Sequence, residues 1–487
     1  MKKEQNSLPL NQLLQGIEVV ETVGDISCEI SSIEYDSRCV TPGALYVALS
    51  GEHVDGNAYI EEAASRGAVA VVSQQACALG GGFPFVQVSD VRRAMAQLSI
   101  SFYQNPAEKL NTVGITGTNG KTTISFMLRE IFKAAGHRPG LLGTVRYEIG
   151  ERILPATRTT PEAPDIQSMF SLMDRSGCDS VIMEVSSHAL NQRRVEGILF
   201  DVGVFTNLTQ DHLDYHGTLE EYFKVKSRLF SQVSRFSVIN VDTPWGERLM
   251  VESPTASECI SYGFENGAAV HGSKAETSIN GSRMLVESPW GNTEIELQLI
   301  GRFNLSNALA AFAAAASIGI PVETIRTALA SMKCVPGRLE LVDGSKRKRV
   351  FVDYAHTDDA LHNVLSALRE ITGGRLVVVF GCGGNRDQGK RRLMGEVASR
   401  IADYSIITND NPRKEIPEKI AADIAAGFDS ERKYEVILDR RTAIERGVEL
   451  IGKNDVLLVA GKGHETVQEI GGAIFPFDDR ETIREVF

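Results

Sequence analysis

From Val113 to Thr123 the chain reads Val-Gly-Ile-Thr-Gly-Thr-Asn-Gly-Lys-Thr-Thr, an apolar run, a glycine-rich turn and then Lys-Thr. A strand, a turn of this kind and a helix start cradle phosphates, because backbone N–H groups of the loop point at the anion. Gly117, Thr118, Asn119 and Gly120 supply the loop, Lys121 reaches the β and γ oxygens, and the Thr122 hydroxyl, next to Thr123, suits Mg2+. The strict pattern asks for a glycine where Ile115 stands, so an ordinary strand-to-helix turn is the simpler alternative. Glu184 closes the next apolar run, Val181-Ile-Met-Glu, and is placed to help hold Mg2+ near those phosphates. A helix-capping carboxylate is the competing reading there.

Asp211, His212, Asp214 and His216 crowd one short segment and are candidate metal ligands, although local capping accounts for at least two of them. The usual zincin signature is absent, which weakens a zinc-hydrolase reading. On a helix expected over 219–230, Tyr222, Lys226, Leu229 and Phe230 share one apolar stripe. By spacing alone Lys226 is most simply a side chain that snorkels to solvent. Buried instead, its amine loses the proton and can take up CO2 as a carbamate, an anion suited to Mg2+. Near the C-terminus three loops follow three strands: Gly381-Cys-Gly-Gly-Asn-Arg-Asp387, Asp410-Asn-Pro-Arg413 and Gly461-Lys-Gly-His-Glu465. Two arginines and one glutamate at one sheet edge suit a ligand with carboxylates and an ammonium group. Taken singly, each is equally well a surface ion pair.

The elements that must position these groups follow from the apolar pattern. Strands are expected at 44–49, 68–73, 85–88, 112–116, 180–183, 202–205 and 236–241, hairpin-like pieces between 262 and 303, and a helix over 304–317. Beyond the turn at Val335-Pro336-Gly337, strands at 349–353, 376–380, 404–408, 435–438 and 456–460 alternate with helices, the pattern of an open parallel α/β sheet. The 487 residues suggest roughly three domains. Hydrophobic residues at 43% and charged ones at 23% mark a globular chain rather than a disordered or fibrous one. A net charge of −12 argues against nucleic acid as the main partner. Seven scattered cysteines without a C-x-x-C pair read as free thiols of a reducing compartment. The N-terminus lacks a signal peptide's apolar stretch, and the longest apolar run, 308–320, is shorter than the roughly 18–20 residues a span needs. A cytoplasmic protein with no membrane insertion is expected.

Together and in this order, the motifs resemble the Mur ligase family, ATP-dependent amide-bond ligases of cell-wall precursor assembly, along nearly the whole chain. The resemblance implies an α/β, three-domain architecture: a UDP-binding domain at 1–105, a central P-loop ATPase at 106–335 and a Rossmann-like amino-acid domain at 336–487. It implies that Gly117–Thr123 bind ATP, with Asn304, Arg338 and Asp353 as further nucleotide contacts. Ser37 in Tyr35-Asp-Ser-Arg38 matches a uridine contact, and the Gly51–Gly56 segment a loop near the same nucleotide. Thr159, Thr160, Ser186, Gln192 and Arg194 match positions that hold a muramoyl-dipeptide. Glu184, His212 and Lys226, the last carbamylated by CO2, match catalytic magnesium ligands alongside Thr122, with Lys121 as the catalytic cation. Arg386, Asp410, Asn411, Pro412, Arg413, Gly461 and Glu465 match a diaminopimelate site. The implied substrates are UDP-N-acetylmuramoyl-L-Ala-D-Glu, meso-diaminopimelate and ATP, used by a monomer with Mg2+. An arginine at 413, facing the carboxylate that lysine lacks, should penalise lysine by leaving a buried guanidinium unpaired. Local departures are Asn385, Asp358 and Arg392, where Asp, Pro and Pro are common. Two rivals remain: a D-alanyl-D-alanine-adding or folyl-polyglutamate ligase, and a nucleotide-binding switch that hydrolyses ATP regardless of amino acid.

Overall fold

The computed structural model describes residues 7–51, 54–76, 82–252, 257–342, 348–429 and 433–487. Residues 52 and 53 of the expected nucleotide-adjacent segment, and Cys77, lie outside them. The six described cysteines are unpaired. The chain forms two compact units, one of residues 1–114, 138–201 and 228–234, the other of 115–137, 202–227 and 235–487.

In the first unit Ser32–Glu34, Ala44–Ala48, Ala68–Ser73 and Phe85–Val88 run parallel in that spatial order, and Val19–Val23 closes the edge antiparallel. Ala-Val-Ala-Val-Val-Ser is buried along nearly its whole length, the mark of a strand covered on both faces. Helix Val91–Tyr103 covers one face; Asp90 caps it by accepting the Arg93 N–H, and Gln104 ends it in the left-handed conformation. Strand Ser180–Glu184 lies parallel to Pro139–Leu142, which continues antiparallel through Arg146–Ile149 and Arg152–Pro155. These last three strands are absent from the expectation.

In the second unit helix Lys121–Ala134 packs on Arg302–Ser317. The latter's Ala-rich sequence is buried on almost every face, which allows close helix approach. Strands Val270–Ser278, Gly281–Glu287 and Thr293–Leu297 pair antiparallel in the region where hairpins are expected, and Glu258–Gly263 joins the first of them in parallel. The C-terminal sheet has six strands, in the order Glu340–Leu341, Arg349–Asp353, Val456–Ala460, Leu376–Phe380, Tyr404–Ile407, Tyr434–Val436. All but the first are parallel. Inserting the last long strand between the second and third sets Val456–Ala460, Leu376–Phe380 and Tyr404–Ile407 side by side. Their three following loops therefore emerge together at the carboxyl edge, where such sheets bind ligands.

Candidate active site

The glycine loop is built against residues 206 and 207. Gly117 has φ +145°, and a Cβ there would lie 1.8 Å from Thr206 Oγ1, so only glycine fits. Thr206 donates to the Asn119 carbonyl at 2.6 Å, while Asn207 accepts the Thr118 N–H through its backbone and the Asn119 N–H through its side chain. Gly120, at φ +90°, opens helix Lys121–Ala134, so the helix N-terminus faces the loop. Lys121 Nζ donates to the Gly117 and Thr118 carbonyls at 2.7 and 2.8 Å. Thr122 Oγ1 accepts from Arg338, whose guanidinium lies 4.6 Å over the Tyr354 ring. Thr123 is buried in the helix.

Asn304 donates to the Ile300 carbonyl and accepts from Asn307. Asp353 accepts the backbone N–H groups of Leu339 and Ala355, so it shapes the turn that carries Arg338; burial pushes its pKa up. Two further groups carry no sequence signal. Asp359 accepts from Asn119 at 2.9 Å and from Thr209 at 3.1 Å. Asn207 is an ordinary loop residue until the fold places it against the phosphate loop.

Lys226 does not snorkel. It is buried, its Nζ donates to the Gly117 carbonyl at 2.8 Å, and it lies 4.6 Å over the Tyr222 ring. The helix runs Leu219–Ser227 and tightens to a 3-10 turn at Arg228–Gln232, keeping Tyr222, Lys226, Leu229 and Phe230 buried. Desolvation, helped by Lys121, holds the Lys226 amine well below its ordinary pKa, against the pull of Asp211. The Lys226 amine thus faces the glycine loop. Nearby, His212 adopts a left-handed backbone, and its ring lies 3.4 Å from Asp211. Burial pushes its pKa down to about 4, against the opposing pull of Asp211. Burial alone would raise Asp211, but His212, His356, Lys390 and Lys121 hold it low. Asp214 lies on the short helix Leu213–His216, and His216 stacks on Tyr222. Among the described residues no three His, Cys, Asp or Glu side chains already converge as a metal site.

The first unit gathers a separate polar network at the end of strand Ser180–Glu184. Glu184 is buried, and its two oxygens accept the Thr144 N–H at 3.0 Å and hydroxyl at 2.8 Å. Thr144 in turn pairs with Thr159 at 3.1 Å. A Cβ on Gly143 would sit 2.3 Å from Glu184 Oε1, so this approach needs glycine. Thr160 donates to the Glu184 carbonyl and accepts the Ser186 N–H, while Ser186 caps the helix Ser187–Asn191. Arg194 joins the Thr160 carbonyl, the Gln192 side chain and Glu162. Five expected residues, Thr159, Thr160, Ser186, Gln192 and Arg194, thus meet around Glu184. Thr144 and Glu162 are additions whose only sequence signals are a Gly-Thr after an apolar run and a Glu after Thr-Thr-Pro. Ser37 sits on a different element, in the turn capped by Asp36, and donates to Glu62.

On the C-terminal sheet the three loops interlock. Asn411 donates to Glu465, and buried Lys462 donates to both Asn411 and Glu465, each at 3.0 Å. Gly461, at φ +114°, brings the backbone so close to Asp410 that a Cβ would lie 2.4 Å from its carboxylate. Pro412 O closes on Gly384, where a Cβ would come within 2.0 Å. Arg413, at φ +52°, donates to the Gly384 carbonyl at 2.7 Å. Arg386 is exposed on the first loop. Beneath them buried Arg440 pairs with Asp479 through two bonds of 2.8 and 2.7 Å. The same guanidinium donates to the carbonyls of Asn409 and Ala460, tying together the ends of two loop-bearing strands. An arginine fork, a carboxylate and an amide on one edge can take a zwitterion bearing a further carboxylate.

A glycine loop at a helix start with a buried lysine beside it, and three interlocked loops at one sheet edge, fit an ATP-dependent ligase. The chain belongs to the Mur ligase family: residues 29–103 match the Mur ligase family catalytic domain, 115–315 the Mur ligase middle domain and 337–463 the Mur ligase glutamate ligase domain. It is 44% identical, over 98% of both chains, to a UDP-N-acetylmuramoyl-L-alanyl-D-glutamate--2,6-diaminopimelate ligase of Caldanaerobacter subterraneus subsp. tengcongensis. It is 43% identical, again over 98% of both, to the protein of the same name from Geobacter metallireducens. A solved structure bearing that name is 33% identical and superposes with a TM-score of 0.70, covering 99% of this chain and 98% of the other. Among the described residues no helix is long and apolar enough to cross a membrane.

Proposed function

We propose that the chain joins meso-2,6-diaminopimelate to the D-glutamyl γ-carboxylate of UDP-N-acetylmuramoyl-L-alanyl-D-glutamate, consuming ATP, in peptidoglycan precursor synthesis. The observation that carries the reading is the interlocked trio of loops, in which Asn411 and Lys462 donate to Glu465 and Arg413 donates to the Gly384 carbonyl, on a chain that also holds a glycine-rich loop at a helix start. The γ-phosphoryl group passes from ATP to the carboxylate, giving an acyl phosphate and ADP. Diaminopimelate's free amine attacks the acyl carbon, the tetrahedral intermediate expels phosphate, and an amide remains. Lys121 gives up its loop carbonyls to neutralise charge on the transferring group. Asn304, Arg338 and Asp353 border or shape the nucleotide site.

Lys226 is assigned the role of carbamate, formed when its neutral amine adds to CO2 and loses a proton. The support is its burial beside Gly117 and its depressed pKa. By the resemblance, the Thr122 hydroxyl would hold a Mg2+ at the ATP phosphates, and the Lys226 carbamate, Glu184 and His212 would be the ligands of a second one; the hydroxyl and carboxylate oxygens suit that hard cation. Such an ion would supply screening of the charge between ATP and the acceptor carboxylate. The Thr159–Arg194 network and Ser37 are assigned to the nucleotide-linked dipeptide. Arg386, Asp410 to Arg413, Gly461 and Glu465 are assigned to diaminopimelate. Cytoplasmic location, where ATP and the nucleotide-linked acceptor are available, and a monomeric state belong to the proposal too. The test labels the acceptor γ-carboxylate with oxygen-18. Transfer of one label into released phosphate supports the acyl phosphate; unlabelled phosphate beside labelled amide product refutes it.

A further inference from the structure

Arg413 already has a carboxylate partner. Its Nε lies 3.4 Å from Glu469 Oε2, while Nη1 donates to the Gly384 carbonyl. Glu469 is held there through its backbone: its N–H donates to Asn411 Oδ1 at 3.0 Å, and its carbonyl accepts the Arg413 N–H at 3.1 Å. The next turn of the Val467–Ile470 and Ala473–Pro476 hairpin closes the clamp, with the Gly471 N–H donating to the Arg413 carbonyl at 2.7 Å. Arg413 is a quarter exposed, not sealed off. An arginine left buried and unpaired by a ligand without the second carboxylate, as expected from the motif alone, is therefore not what the fold supplies.

We propose that Glu469 is a specificity-determining residue: an internal counter-carboxylate that occupies Arg413 until a ligand carboxylate takes its place. The inference rests on the diaminopimelate reading above. Two carboxylates then compete for one guanidinium. Glu469 both weakens capture of the carboxylated amino acid and spares Arg413 from going unpaired beside a ligand such as lysine. Its effect is that of a partly exposed pair, modest and sensitive to salt.

Glu469→Gln keeps the shape and removes the charge, and the side chain is exposed enough that folding is untouched. Steady-state kinetics with ATP, the nucleotide-dipeptide and either meso-diaminopimelate or L-lysine give the readout. The variant should lower KM for diaminopimelate about threefold, with a far smaller change in kcat. That gain should shrink at high salt, and KM for lysine should not fall. An unchanged KM for diaminopimelate, or equal falls for both amino acids, overturns the role of Glu469 while leaving the ligase reading intact. A wild-type protein that does not use diaminopimelate overturns the ligase reading and this inference with it.

Discussion

Lys226 Nζ lies 2.8 Å from the Gly117 carbonyl oxygen, so the amine of a buried helix position touches the glycine-rich turn before helix Lys121–Ala134. Lys121 donates to the same carbonyl at 2.7 Å. Burial, with the Lys121 charge beside it, holds the Lys226 amine well below its ordinary pKa. A neutral amine at this point is what carbamate chemistry requires.

Lys226→Met should therefore cost at least about 100-fold in turnover, the scale of losing an electrostatic stabiliser of phosphoryl transfer. Folding should not suffer, because Lys121 still serves the Gly117 carbonyl and a buried amine is replaced by an apolar chain of similar length. Between its depressed folded pKa and its ordinary unfolded one, Lys226 binds its proton only when unfolded, so wild-type stability falls as pH drops through that window. Turnover and Tm measured on the same preparation decide this. Full turnover in CO2-depleted buffer would exclude the carbamate.

Arg413→Ala should lower kcat/KM for diaminopimelate by about 100-fold, the cost of losing a charge-assisted bidentate contact. Lysine, which offers that position no carboxylate, should be affected far less. Competing the two amino acids in one reaction and weighing the products gives the ratio directly. Equal losses for both would mean that Arg413 only supports the loop.

Much of this is legible in the sequence, for physical reasons that differ by residue. The strands of the C-terminal sheet announce themselves as β-branched apolar runs, and each site loop follows one directly. Whether those loops meet depends on Val456–Ala460 entering between two earlier strands, a crossover that local pattern does not encode. The stripe of Tyr222, Lys226, Leu229 and Phe230 is likewise visible, yet spacing cannot decide between a snorkelling and a buried lysine. The decision comes from Gly117, more than a hundred positions earlier. Thr144 escapes notice because Pro139–Leu142 is a short apolar piece with no alternation. Glu469 escapes because its partner lies in another loop.

His212 carries the clearest pH signature. Its folded pKa, near 4, lies below the ordinary 6.5, so between those values the unfolded chain takes up a proton that the folded one refuses. Stability should fall as pH is lowered through that window. His212→Gln should flatten the fall, seen in denaturant midpoints collected from pH 4 to pH 6.5. Parallel curves for wild type and variant would contradict a neutral imidazole in the folded chain.

Asp479→Asn should destabilise the protein by about 3–5 kcal/mol, because Arg440 would keep its charge in a fully buried place without the carboxylate it pairs with. The carbonyls of Asn409 and Ala460 would lose a fixed donor, so KM for the amino acid should rise alongside. Urea unfolding and KM are the paired readouts. A loss below about 1 kcal/mol would show that water reaches the pair.

The central claim is that release of phosphate waits for one particular amino acid. Phosphate release by the purified protein with ATP, Mg2+ and UDP-N-acetylmuramoyl-L-Ala-D-Glu, supplemented in turn with meso-diaminopimelate, L-lysine or D-Ala-D-Ala, tests it most directly. The account predicts release with diaminopimelate far above the other two, and a nucleotide product heavier by that residue. Release at one rate whichever amino acid is present would contradict it and leave a nucleotide-hydrolysing switch instead.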